Sequence, residues 1–431
     1  MKLDPHPSKS LSPSGRLRGA SEGCGLYIHI PFCKQACHYC DFHFSTSLKH
    51  RGSMVSALAK EIELRKDELG DITVETIYFG GGTPSLLSPN ELKFLIDAVY
   101  QNFKVSKAPE ITLEANPDDL IVKKESLVSP RATPRGLIGS SSSAQINTIF
   151  QSYKSVGINR LSIGVQSFFE KDLKLMNRAH NAEEAEKCIK EAITYFDNIS
   201  IDLIYGIPGM SNERWKQNIE KALSFGIPHI SSYALTVEPK TALKTFIEKG
   251  IVQDVDDEQA QEQFLILIET LESENYIHYE LSNFGKKDYF SRNNSAYWQG
   301  KPYLGIGPSA HSFSGKIRSW NIRNNVKYIK AIEDGTFPSL SGRQTIEKEV
   351  LSPTDRYNEY IMTGLRTIWG VSLKKVETDF GLQYKKYLLQ QAEPLINEHL
   401  LYIDEGKLLI AKKSKFLSDG IASKLFKLNL S

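Results

Sequence analysis

The stretch Gly25-Leu-Tyr-Ile-His-Ile-Pro-Phe-Cys33-Lys-Gln-Ala-Cys37-His-Tyr-Cys40 constrains this chain more than any other. Its apolar run from Leu26 to Phe32 reads as a buried strand. That strand delivers three cysteines, spaced C-x3-C-x2-C, to a loop just past its C-terminal end, which is where parallel α/β sheets place their chemistry. Three thiols this close serve a metal, a disulfide or a redox role. Zinc closes its shell with a fourth ligand, and His29, His38 and His43 are each at hand. Structural disulfides suit small secreted domains, whereas this chain has 431 residues and only five cysteines. The remaining reading is an iron–sulfur cluster on three thiolates instead of the usual four, which leaves one coordination position open to a further ligand.

A hydrophobic content of 40% with 24% charged residues allows a sizeable core and two domains. The net charge of +2 gives no global reason to expect nucleic acid or a membrane as partner. No apolar run approaches the roughly 18 residues of a membrane helix, and the N-terminus lacks the apolar segment of a secretory signal. These features predict a cytoplasmic, reducing location with no integral membrane segment. Residues 1–23 are rich in Ser, Pro, Lys and Arg and read as a disordered leader. Its basic, acid-poor composition also suits a transit peptide, although an unstructured extension or a misassigned start is the plainer reading. Cys24 falls outside the cysteine spacing and reads as a free thiol, and Cys188 as a packing residue.

Beyond the cysteines, apolar residues at helical spacing predict a helix over Ser53 to Leu69. A strand from Thr76 to Phe79 then runs into Gly80-Gly-Gly-Thr83-Pro84, with a helix from near Pro89. The pattern repeats with strands over Glu110 to Ala115, Arg160 to Gln166, Asn198 to Tyr205 and His229 to Val237, and with a helix over Ala182 to Phe196. Such alternation implies right-handed crossovers and a parallel sheet curled as a barrel or part of one. Residues 127–147, with two prolines and four consecutive serines, break the rhythm and read as a disordered insertion whose Arg131 and Arg135 are solvated. After residue 255 come an amphipathic helix, the stretch Tyr279-Glu-Leu-Ser-Asn283-Phe284, the aromatic-rich Asn293-Asn-Ser-Ala-Tyr297-Trp298, and the small-residue turn Gly307-Pro-Ser-Ala-His311. From about residue 345, helices precede a hairpin centred on Asp404-Glu-Gly406, a winged-helix-like order with no basic bias.

The cysteine spacing resembles the signature of the radical S-adenosylmethionine (SAM) superfamily, and residues 25–425 resemble the family of oxygen-independent coproporphyrinogen oxidases and their relatives, the HemW-type heme chaperones. The resemblance implies a radical SAM partial (β/α)6 barrel with a C-terminal helical, winged-helix-like domain. It divides the chain into the leader 1–23, a core barrel 24–255, a barrel extension with a heme-proximal segment 256–344, and a C-terminal domain 345–431. It further implies that Cys33, Cys37 and Cys40 hold a [4Fe-4S] cluster whose open position takes SAM. Gly81, Gly82 and Thr83 would supply backbone contacts to SAM, Glu114, Gln166, Arg178 and Asp202 polar contacts at strand ends, and Tyr27 and Tyr39 would flank the cluster. Ala234 and His311 match positions near the cofactor. On residue chemistry alone, Arg178 could equally be a surface charge, His311 a satisfied core histidine, and Asp202 the partner of a buried cation.

Two departures bear on the branch. The oxidases of the family carry a cysteine two positions after the third ligand, and Phe42 stands there, as in the heme chaperones. The chaperone branch also carries a His-Asn-x-x-Tyr-Trp stretch implicated in heme binding. Here it begins at Asn293-Asn294 and ends at Tyr297-Trp298, so an amide replaces the imidazole. The expected function is therefore a carrier that binds heme and passes it to an acceptor hemoprotein, with SAM and the cluster as a structural or switching element. No catalytic residue is assigned, and a second copy of the chain is a further partner to test. The alternative is an oxygen-independent coproporphyrinogen III oxidase, which cleaves SAM reductively to abstract hydrogen from a porphyrinogen propionate. A third reading is a zinc-stabilised scaffold.

Overall fold

The computed structural model describes residues 23–121, 148–337 and 345–428. The expected leader, save Gly23, and the Ser-rich insertion with Arg131 and Arg135 lie outside the described residues.

Six strands, β1 (Cys24–Ile30), β2 (Val74–Gly81), β3 (Val105–Ala115), β4 (Arg160–Gln166), β5 (Ile199–Tyr205) and β6 (His229–Ala234), pair in parallel in chain order. Helices cross between them, among them Arg51–Leu64, Pro89–Asn102, Ala182–Ala192 and Asn212–Leu223. Pro89–Asn102 starts where the sequence predicts, because Ser88 and Glu91 form a reciprocal capping box and Pro89 occupies the first turn. The helix expected over Ser53 to Leu69 starts at Arg51 and stops at Leu64, and Arg65 turns inward to meet Glu61.

Past β6 the sheet grows at both edges. β7 (Ile277–Glu280) and β8 (Asn283–Gly285) form a hairpin antiparallel to β6. On the other side β9 (Tyr303–Ile306) lies parallel to β1, and β10 (His311–Phe313), β11 (Ile317–Asn321) and β12 (Ile346–Val350) follow as an antiparallel meander. The result is one open twelve-stranded sheet, β12-β11-β10-β9-β1-β2-β3-β4-β5-β6-β8-β7, whose six parallel strands make a partial (β/α)6 barrel. The helices Pro353–Leu365, Leu373–Phe380, Leu382–Asn397 and Ser418–Lys424 surround a second sheet. Its strands β13 (Val371–Ser372), β14 (Leu401–Asp404) and β15 (Lys407–Ile410) run in the order β13-β15-β14, a winged-helix-like arrangement. The two parts have separate apolar cores, one drawn from residues between Cys24 and Ile346 and the other from Tyr357 to Leu425.

The barrel strands are not uniformly apolar; side chains alternate between faces, as the two-residue period of a strand requires. Leu26, Ile28 and Ile30 of β1, Ile77 and Phe79 of β2, Leu113 of β3 and Ile201 and Leu203 of β5 join the core. The intervening positions, among them Tyr27, His29, Tyr78, Glu114, Ser162, Gly164, Asp202 and Tyr233, turn to the concave face. Thus the barrel buries its aliphatic face under helices and leaves polar and aromatic groups lining its lumen.

Candidate functional site

The cysteine loop is held as a shelf at the mouth of the barrel. Its start is pinned by Cys33 N–H to Ser45 O at 3.1 Å and Ser45 N–H to Pro31 O at 2.9 Å, and its middle by His38 N–H to Met176 O at 3.1 Å. Lys34 bonds Asp118 at 2.8 Å and pairs also with Asp119, which ties the loop to the end of β3. Gly82 lies beneath the loop. A Cβ there would come within 2.5 Å of Phe32 O, so no larger residue fits this close approach.

Arg178 is no surface charge. Its guanidinium donates to Cys37 Sγ at 3.4 Å, to Asn116 Oδ1 at 2.6 Å and to Gly164 O at 2.9 Å, and it also hydrogen-bonds Tyr39. Its Nε is buried without a partner. Gly164 leaves room for this: an added Cβ would lie 2.9 Å from the Gln166 amide and 3.2 Å from the Arg178 guanidinium. Gln166 itself adopts a left-handed φ of 68° at the end of β4, a conformation that non-glycine residues take at some cost and that clusters at functional sites. The Thr83 hydroxyl bonds the Cys33 sulfur and receives a bond from the Asn116 amide at 3.2 Å. Burial pushes the Cys40 thiol up to about 11 and raises that of Cys33, so without a metal both sulfurs keep their protons at neutral pH.

These donors suit a thiolate-bound cluster better than a lone ion. Among the described residues no three His, Cys, Asp or Glu side chains converge closely enough to hold one ion. Of the three histidines available as a fourth zinc ligand, His29 has both ring nitrogens engaged, whereas His38 and His43 are each held by one. His29 Nε2 meets His43 O at 2.9 Å, His38 Nδ1 meets Leu175 O at 2.8 Å, and His43 Nε2 meets Asn325 Oδ1 at 2.7 Å. A cationic guanidinium beside Cys37, with one N–H still unpaired, complements an anionic group on the loop. Cys24 and Cys188 are buried free thiols inside the core.

Next to this shelf the lumen opens into a cavity of about 580 Å³, within the roughly 300–1,000 Å³ of small-molecule sites. Tyr27, Gly81, Glu114 and His311 line it, and so do Asn293, Asn294, Tyr297 and Trp298. Glu114 accepts the Tyr78 hydroxyl at 2.8 Å and the Gly81 N–H at 3.1 Å. Burial pushes its carboxyl up to about 7, with the neighbouring Asp202 adding to the rise. Asp202, bonded to Ser162 at 3.3 Å, is raised to about 6 by burial, against bonds from Ser231 and Ser162 and the charges of Arg160 and Arg178. It is thus both a lumen group and a neighbour of buried cations. Gly80 keeps this floor open, because a Cβ there would stand within 3.0 Å of Tyr27, Tyr78 and Glu114.

The aromatic rim comes from the short helix Arg292–Trp298, started by the buried Ser291 and by Glu110, which accepts the N–H groups of Arg292 and Asn293 at 3.1 Å each. Tyr297 is 52% exposed, and its ring lies 5.8 Å from Trp298 and 5.1 Å from Tyr303. Phe42, 68% exposed, faces the same cavity. The Asn293 carboxamide instead accepts the Thr76 hydroxyl at 2.9 Å. His311 is not a core histidine: it is exposed and reaches the cavity from β10.

The predicted residues therefore fall into two adjoining groups. Cys33, Cys37, Cys40, Tyr39, Thr83, Gln166 and Arg178 gather at the loop, and Tyr27, Gly81, Glu114 and His311 at the cavity with the 293–298 segment. Asp202 is electrostatically linked to both. Ala234 takes the opposite face of β6 and packs against the core. Sequence reasoning passed over Tyr78, Tyr233, Glu280, Ser282, Asn283, Lys301 and Tyr303 on the cavity wall and Asn116 beneath Arg178. Strand alternation from Tyr27 and Glu114 would have found Tyr78 and Tyr233; nothing local marks Glu280, which the β7–β8 hairpin brings round.

Residues 27–222 match the model of the radical SAM superfamily and residues 351–413 that of the HemN C-terminal domain. The chain is 31% identical over 398 residues to "Heme chaperone HemW" of Bacillus subtilis, which covers 92% of this chain and 97% of that protein. It is 31% identical over 405 residues to the mouse "Radical S-adenosyl methionine domain-containing protein 1, mitochondrial", covering 92% and 85%. Among solved structures, the Escherichia coli coproporphyrinogen III oxidase HemN superposes with a TM-score of 0.75 at 20% identity, over 94% of this chain and 91% of that one.

Proposed function

Because the chain belongs to the HemW family of radical SAM proteins, we propose that it binds heme in the lumen cavity and transfers it to an acceptor hemoprotein. One observation carries this reading: the wall bearing Tyr27, Gly81 and Glu114 and the aromatic segment ending in Tyr297 and Trp298 face a single cavity of about 580 Å³. A flat apolar macrocycle is recognised by such rings, which offer large contact area at little entropic cost.

Cys33, Cys37 and Cys40 would hold a [4Fe-4S] cluster, and Gly81, Gly82, Thr83, Glu114, Gln166 and Asp202 would receive SAM beside it. When bound and reduced, that pair supplies one-electron chemistry, with the protein contributing position and electrostatics. Arg178 keeps a fixed positive charge against Cys37, and Thr83 orients Cys33. Glu114, bridged between Tyr78 and Gly81, holds a carboxyl that burial pushes up to about 7. Phe42 extends the apolar mouth at the position where the oxidase branch has a cysteine, which supports delivery over decarboxylation. Among the described residues no helix is long and apolar enough to cross a membrane, and thiolate ligands suit the reducing cytoplasm.

The test divides anaerobically reconstituted protein between a heme titration and an assay of carbon dioxide release from coproporphyrinogen III with SAM and reductant. Saturable one-to-one heme binding without decarboxylation is expected. Decarboxylation with stoichiometric 5′-deoxyadenosine would instead make the protein an oxidase.

A further inference from the structure

Heme bound in this cavity needs an axial ligand, and the residue at the family's histidine position cannot be it. An amide is a poor ligand for heme iron, and the Asn293 carboxamide is already engaged with Thr76 at 2.9 Å. Two other histidines line the cavity, His29 and His311. They differ in availability. His29 is 6% exposed, with Nε2 bonded to His43 O at 2.9 Å and Nδ1 to the Tyr27 hydroxyl at 3.2 Å. The His311 imidazole is exposed, and no hydrogen bond holds either of its nitrogens among the described residues.

His311 is nonetheless fixed in place. It opens β10 directly opposite Trp320 of β11, and the two rings stack at 5.9 Å and 29°. The Trp320 indole is itself tied to Glu347 at 3.0 Å. Beneath it, Gly305 of β9 lets the backbone of His311 approach: a Cβ at Gly305 would lie 2.0 Å from His311 O. Phe313, two residues on and so on the same face of β10, stands 6.1 Å from Tyr303, which contacts Tyr297 at 5.1 Å. The imidazole therefore shares a sheet face with the aromatic series that runs from Phe313 through Tyr303 and Tyr297 to Trp298. The phenols of Tyr27, Tyr78 and Tyr303 are disfavoured as competing ligands, since burial raises them above the usual tyrosine range. Lys301 at the rim, 3.5 Å from Glu75, offers a cation to a propionate.

Resting on the heme-carrier reading, we infer that His311 is the axial ligand to the heme iron in this cavity, in place of the imidazole that position 293 lacks. The test is a heme titration of the full chain followed by its Soret and visible spectrum, with His311→Ala, His311→Met and the exposed control His50→Ala. His50→Ala is expected to match the parent protein. His311→Ala should weaken heme binding at least tenfold and shift the Soret band, and added imidazole should restore the parental spectrum. His311→Met should give a thioether-type spectrum with a raised reduction potential, which a merely misfolded variant would not. If the parent binds heme and His311→Ala leaves the spectrum and affinity unchanged, the ligand assignment is overturned while the carrier reading stands. If the parent itself fails to bind heme, the carrier reading falls and takes the assignment with it.

Discussion

The Glu61 carboxylate, on the first barrel helix, accepts the backbone N–H of Gly307 at 2.7 Å, so a side chain 246 residues away in sequence holds the turn that leads to His311. The same carboxylate accepts the Tyr328 hydroxyl at 2.6 Å and the Asn321 amide at 2.7 Å, and pairs with Arg65 at 3.0 Å. Arg65 in turn donates to Gly305 O at 2.8 Å. Gly307 has a φ of 103° and sits where a Cβ would meet His29 O at 2.7 Å, so the turn depends on glycine and on this buried anchor together.

Replacing Glu61 with Ala leaves Arg65 buried and short of a partner, and frees the Gly307, Asn321 and Tyr328 donors. Removing one member of a buried, hydrogen-bonded ion pair costs about 3–5 kcal/mol, and the extra unpaired donors push towards the upper end. Urea unfolding of Glu61→Ala should show a lower midpoint with a similar slope. A loss below about 1 kcal/mol would mean that the network does not hold the turn.

Glu280 gives a pH dependence with a definite sign. It lines the cavity, is buried, and accepts from Asn283 and the Ser282 N–H. Burial pushes its carboxyl from 4.5 up to about 7. Below the unfolded value both states hold the proton and its contribution is fully present. As pH rises through this window the unfolded chain releases the proton first, so stability falls, and the loss is complete above about 7. The fall amounts to roughly 3.5 kcal/mol for this group at about 1.4 kcal/mol per unit, and Glu114 and Asp202 act in the same direction. Glu280→Gln should therefore gain stability over the parent at pH 8 and not at pH 5. A parent–variant difference that is the same at both pH values would refute the assignment.

What could be read from sequence follows from range. The cysteine loop and all six barrel strands declare themselves locally, because each strand is a short apolar-alternating run bounded by Gly, Pro or Asn. Helix starts at Pro89 and Pro353 are equally plain, since each proline follows a capping serine. Hidden were the relationships made by the curl of the sheet. Asp202 reads as a carboxylate stranded in an apolar strand until its face of β5 is seen to be the lumen. Arg178 reads as a loop charge until β4 brings Gly164 O beneath it. Glu280 and Glu61 carry no local signal at all, because every partner that explains Glu61 except Arg65 lies more than two hundred residues away.

The five cysteines should divide cleanly. Cys33→Ala, Cys37→Ala and Cys40→Ala each remove a donor from the loop and are expected to abolish cluster binding. Cys24→Ala and Cys188→Ala touch only buried free thiols in the core and should keep it. Iron and acid-labile sulfide, measured after anaerobic reconstitution, decide the matter. Full retention in any of the first three would remove that residue from the ligand set.

The C-terminal module reaches the cavity rim through Arg366. Arg366, just past the helix Pro353–Leu365, places its guanidinium 5.5 Å from the centre of the Trp298 ring and is held there by Asp419. The adjoining backbone is fixed to the barrel as well, with Ile368 N–H bonded to Tyr279 O at 3.0 Å and Thr367 bridged to Glu280. Trp298 is thus steadied from outside the barrel by a cation on its face, worth about 0.5–1 kcal/mol at a partly exposed site. If heme rests against this ring, loss of the cation raises the cost of ordering Trp298 on binding by that amount. Arg366→Ala should then weaken heme affinity about two- to fivefold, with an altered Trp fluorescence and an unchanged Soret position, since no iron ligand has been touched. Arg366→Lys should recover most of the affinity, because an ammonium also binds the ring face. A Soret shift in Arg366→Ala would place Arg366 in contact with the iron ligand instead, and unchanged affinity would show that the C-terminal module does not help to hold the heme face.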